Sequence, residues 1–75
     1  MIDQLTIHLR RAEGALVRLL GLAERRGFST VSMTAAPMAS DTMLIHLTVR
    51  AERPLDNLIL QLEKLYDVQL VEKTR

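Results

Sequence analysis

Hydrophobic positions in the first third of the chain change from a two-residue to a helical period. In residues 4–10 every second residue is leucine or isoleucine, which is typical of a half-buried strand. In residues 12–26 apolar side chains recur on one helical stripe, made of Ala12, Ala15, Leu16, Leu19, Leu20 and Ala23. Gly27 follows two arginines and is predicted to end this helix, because glycine readily takes the left-handed cap conformation.

Two more alternating segments predict a second and a third strand. Residues 28–36 place Val31 on the same face as Met33, and residues 42–51 show the clearest alternation in the chain. Residues 37–41 between them are predicted to form a loop, since their proline lacks the N–H that a sheet ladder needs.

The last third of the chain predicts a helix and a short strand. Pro54 suits the first turn of a helix, where its missing N–H is harmless. Apolar residues then recur at helical spacing, namely Leu55, Leu58, Ile59, Leu62 and Leu65. Residues 68–73 predict a final strand in which Val71 alternates out of phase with Val68 and Leu70.

The predicted order β-α-β-β-α-β indicates an α+β fold of the ferredoxin-like type, with residues 1–75 as a single domain. Right-handed crossovers place both helices on one side of a four-stranded antiparallel sheet, with the first and third strands in its centre. The other face of the sheet is then expected to be uncovered.

Composition narrows the class of protein. The 75 residues are 48% hydrophobic and carry a formal net charge of +1, so no strong field favours nucleic acid or an anionic membrane. The lack of cysteine excludes disulfides, thiolate metal sites and a cysteine nucleophile. No apolar run approaches the ~18 residues of a membrane span, and the first residues do not resemble a signal peptide. A cytoplasmic location is expected.

Candidate chemistry is sparse. None of the nine acidic residues pairs with a histidine or serine at the spacing of a known catalytic motif, so the chain is predicted not to be an enzyme. His8 and His46 are expected on the uncovered face, but no third metal ligand is evident beside them. Two polar residues on a wet or interfacial sheet face are the favoured interpretation. RNA readers of this topology stack bases on aromatic residues of the first and third strands, which carry none here.

Gly14 and the spare apolar residues are more informative. Gly14 lies beside the free N–H groups at the start of the first helix, where a small carboxylate could dock; equally, it could serve only the tight strand-to-helix turn. Four apolar residues fall outside the predicted core stripes: Val17, Leu44, Leu60 and Val71. In so small a domain, with an edge strand on each side, they predict self-association, most simply as a homodimer.

The chain also resembles a known family over essentially its whole length. The matching segments are Glu13-Gly14-Ala15-Leu16, Arg18-Leu19-Leu20-Gly21-Leu22, Arg26-Gly27-Phe28, Val31-Ser32-Met33 and Leu62-Glu63-Lys64-Leu65-Tyr66-Asp67-Val68. Together with the predicted element order, they are similar to the ACT domain of acetolactate synthase small subunits. A chain of this size looks most like the short small subunit of the isozyme II type.

This resemblance implies a regulatory subunit in the biosynthesis of valine, leucine and isoleucine. Small subunits of this family do no chemistry and activate a large catalytic subunit, which uses thiamine diphosphate, magnesium and FAD. The resemblance therefore implies no cofactor in this chain, a large-subunit partner, and pairing of two ACT domains. Two alternatives stay open: a free-standing amino-acid-binding ACT module without a synthase partner, and an orphan oligomerisation domain.

The resemblance further implies a candidate amino-acid site. In valine-sensitive members valine binds between paired ACT domains, near the first turn and the start of the second strand. The corresponding residues here are Arg11, Gly14, Ala15, Ser29 and Thr30. Sensitive members usually carry asparagine where this chain has Arg11 and Ser29, so valine feedback is expected to be weak or absent.

Overall fold

The computed structural model describes residues 1–74, which form a β-α-β-β-α-β unit. Its elements are β1 (Ile2–Arg10), α1 (Ala15–Arg25), β2 (Ser29–Ala39), β3 (Thr42–Arg50), α2 (Leu55–Leu62) and β4 (Val68–Thr74). The sheet is antiparallel throughout, in the order β2-β3-β1-β4. The predicted ferredoxin-like fold, with the first and third strands in the centre, is confirmed.

The core lies between one face of the sheet and the two helices. The inward-facing residues of the central strands pack against the apolar stripes of the helices. Its fully buried leucine, isoleucine and phenylalanine side chains are Leu5, Ile7, Leu9, Leu19, Phe28, Ile45, Leu47, Leu58 and Leu62. The opposite face of the sheet is not covered by either helix, as the sequence pattern predicts.

The end of α1 explains how Phe28 reaches the core. Gly27 adopts a left-handed φ of 88°, and its N–H donates to the carbonyl of Glu24 at 3.0 Å. The N–H of Phe28 donates to the carbonyl of Ala23 at 2.9 Å. This pair of bonds is a Schellman motif, which reverses the chain and turns Phe28 inward. The predicted glycine cap is confirmed.

The predicted loop over residues 37–41 is wrong. β2 continues to Ala39 and includes Pro37, which pairs with Met43 of β3, so that only Ser40 and Asp41 form the turn. An edge strand tolerates proline because one side of its backbone needs no ladder partner. The register also shifts between Pro37 and Ala39, which relaxes the pairing beside the ring.

Two other register shifts overturn predictions made from simple alternation. The shift between Thr30 and Ser32 leaves Val31 46% exposed, so it does not share the inner face with Met33. A second shift, where β4 pairs with His8 and Leu9 of β1, reverses the alternation of β4.

The reversal in β4 moves Val71 into the core. Val71 is 8% exposed and lies opposite Ile7, whereas Leu70 lies opposite His8 on the uncovered face and is 44% exposed. The prediction that Val71 is a spare apolar residue is therefore wrong. Val17 and Leu60 are exposed as expected.

The helices are shorter than the sequence pattern predicts. α1 begins at Ala15 rather than Ala12, because the left-handed conformation of Gly14 cannot continue a right-handed helix. α2 ends at Leu62, and Leu65 packs against the core from the turn that follows. Neither helix within residues 1–74 has the length and apolar character needed to cross a membrane.

Candidate functional site

The connection between β1 and α1 contains the candidate site that the sequence predicts around Gly14. Gly14 is the residue before the first turn of α1 and has a left-handed φ of 77°. The N–H of Arg11 donates to the carbonyl of Asp41 at 2.7 Å, which ties this connection to the turn between β2 and β3. Glycine is needed at position 14 because a side chain is strained in this backbone conformation.

Two shallow clefts adjoin this connection. The larger, of about 360 Å³, lies over the start of α1 and includes Arg11, Gly14 and Val17 in its wall. The smaller, of about 200 Å³, lies between Arg11 and the Ala36–Pro37 end of β2. Arg11 and Met43 border both clefts, so an arginine lies between two mostly apolar walls. This arrangement suits a small carboxylate with an aliphatic side chain.

An ion pair between Arg18 and Asp67 lies beside Gly14. Asp67 is buried at the end of the turn before β4, and Arg18 Nη2 donates to Asp67 Oδ2 at 2.5 Å. Arg18 Nη1 lies 2.8 Å from the place where a side-chain carbon on Gly14 would stand. The ion pair thus holds a positive charge over the first turn of α1. Arg18 and Asp67 are 49 positions apart in sequence, so no local pattern predicts this contact.

Ala15 does not line either cleft. Its side chain is 2% exposed in the core, and its N–H donates to the carbonyl of Ala12 at 3.0 Å. Its part at this position is to pack the first turn of α1 against the sheet.

Ser29 and Thr30 lie at the other end of the sheet. Ser29 pairs with Arg50 of β3, whereas Arg10, next to Arg11, pairs with Thr42. These two pairs are separated by almost the whole length of β3, roughly 26 Å at the rise of an extended strand. One chain therefore does not bring the two groups of predicted site residues together. The N–H of Thr30 donates to Glu24 Oε2 at 3.0 Å, while its hydroxyl is buried without a hydrogen-bond partner in residues 1–74.

His8 and His46 share the uncovered face but are not directly opposite each other. His46 pairs with Thr6, whose hydroxyl lies 3.3 Å from His46 Nδ1, and His8 pairs with Leu44. No group of three histidine, cysteine, aspartate or glutamate residues within 1–74 is placed to hold a metal ion.

The two glycines of the α1 region are expected to respond in opposite ways to alanine. Gly14→Ala should lower the free energy of unfolding by about 1–2 kcal/mol, because alanine is strained at this φ and Arg18 must move. Gly21→Ala should be neutral or stabilise by up to about 1 kcal/mol, since Gly21 lies inside α1 and meets only the flexible end of Arg25. Urea denaturation followed by circular dichroism measures both. Equal effects of the two substitutions would contradict this role for Gly14.

Comparisons with known proteins bear on this fold and site. A family model described as ACT domain matches residues 11–71. The small subunit of acetolactate synthase isozyme 3 from Escherichia coli is 36% identical over 72 residues, covering 92% of this chain and 44% of that protein. The isozyme 3 small subunit from Salmonella typhimurium matches to the same extent. The chain therefore spans less than half the length of these relatives.

Solved structures show the same fold at lower identity. The acetolactate synthase small subunit from Thermotoga maritima superposes with a TM-score of 0.86 at 19% identity, over 97% of this chain and 47% of that one. The ACT domain from GTP pyrophosphokinase of Chlorobium tepidum superposes with a TM-score of 0.82 at 14% identity, over 99% of this chain and 97% of that one. The predicted resemblance to acetolactate synthase small subunits is confirmed by the 36% identity. The expectation of an isozyme II type stays a prediction.

Proposed function

The chain belongs to the ACT-domain family, and from that premise we propose that it is a non-catalytic regulatory subunit of an acetolactate synthase. The observation that carries the proposal is the 36% identity, over 92% of this chain, to a protein named as a small subunit of that enzyme. In this role the chain binds the catalytic large subunit and raises its activity. Because the chain matches only 44% of the relative, the function of the whole subunit is part of the proposal.

The non-catalytic part of the proposal rests on the similarity to proteins named as small subunits of the synthase. The clefts near Gly14 are shallow, and Arg18, which lies beside Gly14, is engaged in an ion pair with Asp67. In this proposal thiamine diphosphate, magnesium and FAD belong to the large subunit, and acetolactate formation takes place there.

Pairing of two chains is the second part of the proposal. β2 lies at an edge of the sheet, so no other strand within residues 1–74 pairs with its outer backbone groups. These groups are available to pair with a strand of a second copy. Two copies related by a twofold axis near Met33 would pair their β2 strands antiparallel and place Ser29 of the second copy opposite Pro37. Arg11 borders the cleft at Pro37, so this pairing reunites the two halves of the candidate amino-acid site.

The candidate site then consists of residues from both copies. Arg11 and Gly14 come from one chain, and Ser29 and Thr30 come from the other. An amino acid would lie with its carboxylate toward the start of α1 and its side chain toward Met43. The arginine and the short serine hydroxyl make poor partners for the ammonium group of valine, which supports weak or absent valine feedback.

An activity titration tests the proposed function. Purified chain is added in increasing amounts to the purified large subunit, and acetolactate formation from pyruvate is measured. We expect a saturable rise in activity, and no turnover by the chain alone. Heat-denatured chain serves as the control. Turnover by the pure chain would overturn the non-catalytic assignment, and an activity that never changes would favour a free-standing amino-acid-binding module.

A further inference from the structure

The uncovered face of the sheet, opposite the helices, has an uneven charge. Arg10 and Arg50 lie on it at the two ends of the central strands, with His8 and His46 between them. Glu72 is the single carboxylate on this face within residues 1–74, and the other acidic residues lie on the core side, in turns or on the helix layer. We call this surface the open face. It favours a partner that carries negative charge.

An apolar row crosses the middle of the open face. The strand register places Ala36, Leu44, His8 and Leu70 side by side, one from each strand. Leu70 lies on the open face rather than in the core, and it is 44% exposed. A row of this kind provides apolar contact between the charged ends of the face.

Tyr66 extends the open face at one corner. Its ring is 85% exposed, yet the Arg10 guanidinium lies over it, 5.4 Å from its centroid. The backbone of Arg10 is held beside Tyr66, because its N–H donates to the carbonyl of Asp67 at 2.7 Å. The Arg10 Nε is buried without a hydrogen-bond partner in residues 1–74. Tyrosine and arginine are the residue types that most often dominate binding energy at interfaces.

Charge and area argue against a second copy of this chain as the occupant. Each open face carries two arginines and one carboxylate, so two such faces packed together would bring four arginines and two carboxylates into one interface. Four strands at about 4.8 Å spacing and nine residues at about 3.3 Å give a flat area of roughly 570 Å². A symmetric pair would thus bury roughly 1,100 Å² in total, which is at the lower limit of stable interfaces. A larger partner that also covers the Tyr66 corner is not limited in this way.

We propose that the open face, together with Tyr66, is the docking surface for an acidic segment with apolar anchors on the synthase large subunit. This inference rests on the regulatory function proposed above. The apolar anchors pack on Leu44 and Leu70, the carboxylates lie between Arg10 and Arg50, and the Tyr66 ring packs at the rim. The edge of β2 stays available for the second copy of the chain.

Affinity measurements with open-face variants test the docking surface. Leu70→Glu combined with Arg50→Glu should weaken binding of the purified large subunit by about 10- to 100-fold in calorimetry. Glu72→Lys removes the carboxylate of this face and should tighten binding several-fold, with a steeper dependence on salt. The matched control is Leu60→Glu with Lys64→Glu, which makes the same kinds of change at exposed positions of the helix layer and should bind as the native chain does.

The outcomes separate this inference from the function on which it rests. If the native chain does not bind the large subunit, both proposals fail. If the native chain binds and the open-face variants bind equally well, only the docking surface is overturned. Circular dichroism establishes that each variant is folded. Sedimentation of the isolated variants should show the native oligomeric state, and dissociation of an oligomer by Leu70→Glu would show that the open face joins copies of this chain instead.

Discussion

Placing asparagine at both Arg11 and Ser29 is expected to strengthen valine binding by one to several orders of magnitude. An amide both donates and accepts hydrogen bonds, whereas a guanidinium only donates and repels the ammonium group of the ligand. Each recovered bond is worth roughly 1–3 kcal/mol, and about 1.4 kcal/mol corresponds to a tenfold change in affinity. The native chain should therefore bind valine with a dissociation constant in the millimolar range or higher. The double variant should have a dissociation constant well below that range.

Calorimetry with valine, beside inhibition of the reconstituted enzyme, measures this effect. Arg25→Asn with Ser40→Asn is the matched control, because it makes the same changes at exposed positions away from both clefts. Since Arg11 and Ser29 lie at opposite ends of one chain, the gain should require the dimer, which sedimentation detects at the same concentration. Micromolar valine binding and matching inhibition by the native chain would contradict the account of these two residues.

The two aromatic residues are expected to differ sharply in their effect on stability. Phe28→Ala should cost about 3–5 kcal/mol, because the ring is 1% exposed and its loss leaves a cavity in the core. A chain of this size has a total stability of roughly 4–11 kcal/mol, so the substitution should remove a large fraction of it. Tyr66→Ala should change stability by at most about 1 kcal/mol, since the ring is 85% exposed and loses only its contact with Arg10.

Thermal and urea unfolding of the two alanine variants provide the comparison. A Phe28→Ala chain that unfolds at the native midpoint would show that the Schellman turn does not hold the ring in the core. A large loss of stability in Tyr66→Ala would show that Tyr66 is structural, and would remove its availability for a partner.

Local periodicity was sufficient to predict the fold but not the register. Alternation in β1 and β3 and the stripes of the helices are repeated over several turns, so the element order follows from them. The position of Val71 does not, because the register shift beside His8 depends on how two distant strands pair. Pro37 was misplaced for a related reason: the rule that proline ends a strand applies to central strands, and β2 lies at an edge.

The candidate site was predictable only in part. Gly14 is predictable from the sequence, because a glycine at the start of a helix indicates either a tight turn or an open helix N-terminus. The structure places Gly14 beside Arg11 in one cleft. The support from Arg18 and Asp67 depends on a contact between residues far apart in sequence. The distance of Ser29 from Arg11 follows from the antiparallel topology, and the second chain of the proposed dimer would bring a Ser29 close to Arg11.

Co-purification with the synthase tests the central claim most directly. The chain, tagged and expressed in its own cells, is isolated under mild conditions, and the proteins retained are identified and assayed for acetolactate formation from pyruvate. The account predicts that a thiamine-dependent large subunit is retained in stoichiometric amount and carries the activity. A chain that is recovered without that subunit, while the acetolactate synthase activity of the same cells remains entirely in the unbound fraction, would contradict it.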